Sequence, residues 1–346
     1  MQSPEDEEDG RLEIDEELSL IERIKRYSTS SSLVSRLAYV KEIAYCAEQE
    51  GAPDTVSSLV PLLKTIAVDP ENTVRQALAE QIVPLATTLL ADPDARGVEE
   101  DADDGASVTA KQCVLNELVP VLTSLLNGGP QDAAGSPQLS ETASDAILEL
   151  AALIDSADIG NAILRPVLCL AHDNDVEENR VIATQLLGSL APVLGFDLCC
   201  QYVLSEVVCL ADDPAFRVRK AAALRIGMVS TVVGPELTEQ RLLPVFELLA
   251  RDEIWGVRKA SVESLAEVSA VMPLHVRTDS LEKLMHDFHS DGSRWVRISA
   301  CQALGPFIAT LPSESISTAL LTLFTQLANP ANPSVSDADV AYNCAF

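Results

Sequence analysis

The sequence predicts an all-α chain: an α-α superhelix, or solenoid, of about seven antiparallel helix pairs. Three observations predict it. Asp213-Pro-Ala-Phe-Arg-Val218-Arg219, Asp252-Glu-Ile-Trp-Gly-Val257-Arg258 and Asp291-Gly-Ser-Arg-Trp-Val296-Arg297 each set Val-Arg five residues after an aspartate, and the copies recur every 39 residues. A proline stands eight residues ahead of that aspartate, as Pro61 before Asp69 and Pro244 before Asp252, with Pro166 eight before Asn174. The 346 residues are 47% hydrophobic but only 4% aromatic. That balance favours many modest helix contacts rather than one aromatic-rich centre.

Residues 1–11 carry Glu5, Asp6, Glu7, Glu8 and Asp9, with too little apolar area to fold, and are expected to be a disordered acidic tip. The stack is expected over 12–330. Ile14, Leu18, Ile21 and Ile24 trace a first helical stripe, closed by Ser28-Thr29-Ser30-Ser31-Ser32. A second helix follows from Leu33 to about Glu50, where Gly51 ends it. This pair lacks the Asp-x4-Val-Arg phrase, as a terminal repeat with one neighbour would. The next pair has it in full: Pro61, Asp69, Val74-Arg75 and a helix through Leu78, Ile82 and Leu85.

Residues 91–110 interrupt the rhythm. Seven acids, Asp92, Asp94, Glu99, Glu100, Asp101, Asp103 and Asp104, oppose Arg96 alone, so a mobile acidic insertion is expected. The stack resumes at Val114–Leu126, and its partner from Leu139 to Leu153 has Ser140 where the arginine belongs, a degenerate copy. Asn179-Arg180 lies 39 residues before Val218-Arg219 and restores the register. Near the end, Ile316–Leu327 reads as the first helix of another unit, broken by Asn329-Pro330 and Asn332-Pro333 and followed by a truncated tail, 331–346. The chain is therefore expected to be a fragment or shortened form of a longer stack.

Each conserved-register feature has a physical task. A proline inside the first helix of a pair removes a backbone hydrogen bond and bends it. The aspartate after that helix sits in the tight turn, where its carboxylate is expected to cap the next helix. The valine anchors the second helix in the core. The following arginine faces an adjacent turn, and pairing along Asp69, Arg75, Arg180, Asp213, Arg219, Asp252, Arg258, Asp291 and Arg297 would make a ladder of charge-assisted hydrogen bonds.

Charge narrows the partners. With 53 acids against 24 bases the net charge is −29, which disfavours nucleic acid and anionic membranes. The eight cysteines show no Cys-x-x-Cys pair and most lie in apolar helical pattern, so they read as reduced and structural. No signal core and no run of about 18 uncharged apolar residues is evident. An intracellular protein is expected, cytoplasmic and open to the nucleus.

Proline, aspartate eight later and Val-Arg five after that resembles the HEAT-repeat family. Within it, Ile254-Trp-Gly-Val-Arg-Lys-Ala260, Ser293-Arg-Trp-Val-Arg297 and Gln302-Ala-Leu-Gly-Pro-Phe-Ile308 are similar to the regulatory-subunit-1 family of serine/threonine-protein phosphatase 4, as are Phe216–Lys220 and Arg241–Pro244. Asp339-Val-Ala-Tyr-Asn-Cys-Ala345 resembles a later part of that family. The resemblance implies a noncatalytic regulatory subunit that binds the phosphatase 4 catalytic subunit and directs it to phosphoprotein substrates. It also implies that turns inside the repeats, including tryptophan-bearing ones, touch the catalytic subunit.

On that basis the candidate partner-binding residues are Trp255, Trp295, Arg294, Arg217, Lys220 and Lys259. Trp and Arg are enriched at binding hot spots, although a tryptophan in a turn can equally pack on the adjacent turn. A transport or trafficking adaptor that reads basic peptides fits the bare repeat as well. Catalysis finds no support. His172, His275, His286 and His289 begin no His-Glu pair of the kind an iron-dependent HEAT-repeat enzyme would need, and no phosphate loop or nucleophile motif occurs. His286 and His289, with Asp287 and Asp291, are the best metal candidates, and a surface or ladder role is the expectation for them. No cofactor or metal is expected.

Overall fold

In a computed structural model of the chain, residues 17–93, 95–98, 107–126 and 136–327 are described. Among these residues the chain forms seven antiparallel helix pairs, one further helix and one two-stranded ribbon. The chain divides into two compact units, 1–166 and 167–346.

In the first unit, α1 (Leu20–Tyr27) begins at a capping box: Ser19 accepts the Glu22 amide and the Glu22 carboxylate accepts the Ser19 amide. The predicted helix over 33–50 is two helices, α2 (Leu33–Val40) and α3 (Ile43–Glu50). The chain tightens between them, where the Glu42 amide donates to the Tyr39 carbonyl at 3.3 Å, a one-turn i→i+3 bond. The second pair has a broken first arm, α4 (Ala52–Ser58) and α5 (Val60–Ile66), and a 20-residue second arm, α6 (Asn72–Ala91).

The insertion is partly ordered, contrary to the expectation from its charge. β1 (Arg96–Val98) pairs antiparallel with β2 (Ser107–Thr109), and β1 packs against α4. The β-branched residues Val98, Val108 and Thr109 favour this ribbon; the acidic residues 99–106 lie outside the described residues. Thr109 then caps α7 (Ala110–Cys113), again with a capping box, to Gln112. A π-turn, Val114–Leu118, leads into α8 (Val119–Leu126), which packs against α9 (Pro137–Leu153). The acidic tip and the tail from 328 onward also fall outside the described residues.

The fourth pair opens with α10 (Ser156–Ile159), a π-turn (Gly160–Leu164) and α11 (Arg165–Ala171). Its second arm α12 (Glu177–Leu198) belongs to the second unit. There α13 (Leu204–Leu210) pairs with α14 (Phe216–Leu237), and α15 (Leu243–Leu249) with α16 (Trp255–Val271). After α17 (Leu274–Val276), α18 (Glu282–His289) pairs with α19 (Arg294–Ile308), and α20 (Thr318–Leu327) follows.

The first arms share a feature besides proline. π-turns recur every 39 residues at Gly160–Leu164, Cys199–Val203, Thr238–Leu242 and Arg277–Leu281. Proline follows two of them, at 166 and 244, but Ser205 and Lys283 stand at the same register in the other two. Each π-turn places an inserted residue in the helical ladder, a cause of helix kinks that needs no proline.

The second arms α12, α14, α16 and α19 pack side by side and form the core of the second unit. Two glycines 39 residues apart allow this approach. A Cβ on Gly188 would overlap the Cβ of Arg225, and one on Gly227 would lie 2.7 Å from the Cβ of Glu267. Gly195 and Gly234, also 39 apart, take φ +73° and +78° with ψ near 180°, and break α12 and α14 where each passes into the next pair. That region is open essentially to glycine only.

One stretch, Glu177–Leu210, is long and apolar enough to cross a membrane by length and composition when a few charges are tolerated, but Asp197 and Glu206 interrupt it, so it holds no uncharged apolar run of about 18 residues. Gly195 breaks it. Val181, Ile182, Leu186, Leu187, Leu190 and Leu194 are buried in the stack, as core positions of a packed helix are. Cys46, Cys113, Cys199 and Cys301 are buried and unbridged, whereas Cys169 and Cys209 are exposed and Cys200 is half-buried, so these three depart from the core reading. Burial pushes the Cys46 thiol up to about 11 and Cys199 to about 12, so both stay protonated and inert.

Candidate protein-binding edge

The turns between the two arms of each pair carry the repeated phrase, and their geometry is nearly invariant. In each, the aspartate Oδ1 accepts the backbone amide two residues on: Glu71 at 2.9 Å from Asp69, Ala215 at 2.8 Å from Asp213, Ile254 at 2.8 Å from Asp252 and Ser293 at 2.7 Å from Asp291. These are Asx turns onto the N-cap residue. They are not bonds to the first amides of the helix, and none of these helices has a side-chain cap.

The same carboxylates receive an arginine from the preceding pair. Arg36–Asp69, Arg180–Asp213, Arg219–Asp252 and Arg258–Asp291 are all bidentate and 33 residues apart, with Nε to Oδ2 at 2.7–2.8 Å and Nη2 to Oδ1 at 2.9–3.3 Å. The third guanidinium nitrogen turns inward. Nη1 of Arg180, Arg219, Arg258 and Arg297 donates to the carbonyl of the aspartate that opens its own turn, Asp173, Asp213, Asp252 and Asp291, at 2.7–2.9 Å. Arg180, Arg219 and Arg258 thus each tie two turns together with at least three charge-assisted bonds.

Arg75 is fully buried and bonds within its own turn, to the Asp69 carbonyl at 2.6 Å and to Asn72 Oδ1. The turn that follows it in the ladder, 127–135, lies outside the described residues, as does residue 330 beyond Arg297. Two details depart from sequence reading. Asp173 takes the place assigned to Asn174: its Oδ1 accepts the amides of Asp175 and Val176 at 2.9 Å and its Oδ2 the Asn179 side chain at 2.8 Å. This turn is one residue longer than the others, which shifted the register. Ser140, in the arginine position, donates to the Leu126 carbonyl at 2.9 Å and closes its turn without a charge.

Hydrogen bonds donated to Asp213, Asp252 and Asp291 hold Arg180, Arg219 and Arg258 above the ordinary guanidinium range. At Asp291, burial works against ionisation, but the Arg258 hydrogen bond, the Ser293 amide and the charges of Arg258 and Arg297 outweigh it and hold the carboxyl below its usual value.

On this framework the variable residues of the turns are presented outward. Val218, Val257 and Val296 are fully buried, whereas Phe216, Trp255 and Trp295 are 46%, 47% and 53% exposed. Arg294 lies over the Trp295 ring, 5.8 Å from its centroid. The other candidate bases divide. Arg217 is exposed but pairs with Glu178 at 2.6 Å and Glu177 at 3.7 Å, Lys259 pairs with Glu263 within α16, and Lys220 is exposed without an ion pair among the described residues. Arg217 and Lys259 are therefore partly neutralised by their own fold.

Sequence reading missed Phe216 and Leu248 in the second unit and Arg36 in the first. Phe216 stands 39 residues before Trp255, at the same first position of its helix, so the interval marks it. Leu248, at the end of α15, is the most exposed large apolar residue described, at 73%. Arg36 stands 39 residues before Arg75 but lacks the preceding valine, and so went unrecognised.

The histidines do not converge on a metal. His286 lies 3.8 Å from Glu282, His289 Nδ1 lies 2.9 Å from the Met285 carbonyl, and Asp291 is engaged in the ladder. Among the described residues no group of three or more His, Cys, Asp or Glu is placed to hold an ion.

No family model matches the chain. Among curated proteins, it is similar to serine/threonine-protein phosphatase 4 regulatory subunit 1 of Rattus norvegicus, 29% identical over 313 residues, which is 88% of this chain and 30% of that protein. The Mus musculus counterpart is 29% identical over 310 residues, with the same coverage. The chain thus spans 30% of the length of these curated relatives.

Among solved structures, it is similar to the karyopherin Kap121p bound to Pho4p, with a TM-score of 0.70, 15% identity and coverage of 94% of this chain and 32% of that one. It is also similar to Kap95p in its complex with RanGDP, with a TM-score of 0.68, 16% identity and coverage of 94% and 41%. At such identities these likenesses show the fold, an all-α helical-repeat solenoid.

Proposed function

We propose that the chain is a noncatalytic regulatory subunit that binds the catalytic subunit of a type 2A-like protein serine/threonine phosphatase, phosphatase 4, and directs it toward phosphoprotein substrates in the cytoplasm and nucleus. The observation that carries this is the half-exposed series Phe216, Trp255 and Trp295 in the first turns of helices that the arginine–aspartate ladder fixes. The similarity to a phosphatase 4 regulatory subunit over 88% of the chain supports it.

Large aromatic side chains held on a rigid edge lose little freedom on binding, so they make effective anchors. Arg294, beside Trp295, supplies a charge for an acidic face of the partner. The ladder arginines are consumed by structure and contribute rigidity.

Capture of the phosphatase 4 catalytic subunit by the immobilised chain tests the reading. With Trp255→Ala and Trp295→Ala combined, retention falls at least about tenfold, the effect of losing one hot spot of roughly 1.4 kcal/mol or more. The helical circular-dichroism signal stays unchanged, because both rings are half outside the core. Retention no greater than on an unrelated helical-repeat protein would sink the proposal.

A further inference from the structure

The turn between α1 and α2 is built of five consecutive hydroxyl residues, Ser28 to Ser32, and follows Arg23, Lys25 and Arg26. A base three residues before a hydroxyl is what kinases with an acidic substrate groove select, since its guanidinium pairs with their carboxylates. Arg26 stands in that position relative to Thr29, with Lys25 one further back.

The neighbouring hydroxyls are less suited. Ser28 is 1% exposed, the Ser30 hydroxyl donates to the Ser32 carbonyl at 3.3 Å, and Ser32 caps α2 by accepting the Ser35 amide at 3.3 Å. Ser31 is exposed but has Ser28 three residues before it. Thr29 is exposed and has the base.

Thr29 also shares a cleft of about 330 Å³ with Arg36 and Asp69, the first rung of the ladder. Arg36 holds Asp69 through Nε at 2.7 Å and Nη2 at 3.3 Å, while its Nη1 donates to the carbonyls of Ser30 at 3.1 Å and Ser31 at 3.2 Å. The guanidinium is thus already bonded to the two peptide groups that follow Thr29.

We propose that Thr29 is a phosphoacceptor for a basophilic serine/threonine kinase, and that its phosphate draws Arg36 away from Asp69 and opens the link between the first two turns. In the transfer, Thr29 Oγ1 bonds to the γ-phosphorus of a nucleoside triphosphate bound by the kinase. The bond from that phosphorus to the bridging oxygen breaks, nucleoside diphosphate leaves, and the hydroxyl proton passes to the kinase's base.

The product carries a charge of roughly −1.5 to −2 and three acceptor oxygens, against a single charge on Asp69. It competes for the bidentate face of Arg36 and repels the carboxylate that loses it. In this proposal the last turn of α1 unwinds to admit the kinase. That helix has eight residues, too few to be stable alone, and its place depends on Ile24 and on the Tyr27–Tyr39 stack at 5.0 Å, which re-forms on release. The proposal is independent of the phosphatase reading.

The test uses the full chain with the catalytic subunit of cyclic-AMP-dependent protein kinase and magnesium ATP, with the modified residue mapped by mass spectrometry. Incorporation of one phosphate at Thr29 is expected, and Thr29→Ala or Arg26→Gln abolishes it. Asp69→Asn then separates the two halves of the proposal: it lowers the Tm of the unmodified chain and does not lower that of the phosphorylated chain. Modification of a different residue, or of a peptide spanning 20–36 but not of the folded chain, would overturn Thr29 as the acceptor. An equal Tm loss from Asp69→Asn in both forms would overturn the competition for Arg36.

Discussion

Replacing Asp252 by alanine removes the acceptor of three hydrogen bonds: Arg219 Nε at 2.7 Å, Arg219 Nη2 at 3.2 Å and the Ile254 amide at 2.8 Å. Breaking a fully buried pair by deleting one partner costs about 3–5 kcal/mol. Here the side chains of Arg219 and Asp252 retain 15% and 9% exposure, and Arg219 keeps its bonds to the Asp213 and Pro214 carbonyls at 2.9 and 3.0 Å. The expected loss is therefore lower, about 2–3 kcal/mol.

At roughly 2–4 °C per kcal/mol for a unit of this size, Tm falls by about 5–10 °C. Asp252→Asn preserves an acceptor for the Ile254 amide but not the charge, and costs about half as much. Urea unfolding of Asp252→Ala, Arg219→Met and the double variant measures the pair directly. A coupling energy of at least about 1 kcal/mol is expected. An Asp252→Ala loss below about 0.5 kcal/mol, with a coupling indistinguishable from zero, would refute the view that the ladder stiffens the edge.

The other predictions concern the stacking and its pH dependence. Gly227→Ala forces the new Cβ against Glu267 and destabilises the second unit by about 1–3 kcal/mol, read from urea midpoints, while Gly256→Ala, with open space around it, does not. Gly234→Ala must hold φ +78° and ψ 176° and loses about 1–3 kcal/mol; a neutral result would show that the junction relaxes to another conformation.

Because Asp291 has a folded pKa below its unfolded one, its rung stabilises above the ordinary carboxylate range and loses that contribution as pH falls through it toward the lower folded value, about pH 4 and below. Stability of Asp291→Asn accordingly converges with that of the wild type in acid and falls short of it at neutral pH, as denaturant titrations at stepped pH will show.

The ladder was legible because it obeys a strict interval. A 39-residue repeat fixes where every Asp, Val and Arg must stand, and one missing valine was enough to hide Arg36. An extra residue in the turn before Arg180 moved the accepting carboxylate from Asn174 to Asp173, since a turn fails to reveal its length until its hydrogen bonds are traced. The ribbon at 96–98 and 107–109 was masked by its acidic surroundings: net charge argued for an unstructured loop, while the short strands depend on pairing partners about ten residues apart. The π-turns left no mark beyond prolines in some copies, because a π-turn is a matter of backbone registry rather than of residue type.

What the amino-acid order alone determined is the repeat. Helix-forming composition, the fixed interval and turn aspartates admit few folds other than stacked helix pairs, since an apolar stripe on each helix is buried only by a neighbour offset by one repeat. Tertiary structure alone decided which of the turn residues are available. Trp255 and Arg217 look alike as candidates in a list of residues, but the ring of one stands half in solvent while the guanidinium of the other lies against Glu177 and Glu178. Those acids come from the preceding pair, 39 to 40 residues away in the chain, and distances of that kind are set by packing and not by local sequence.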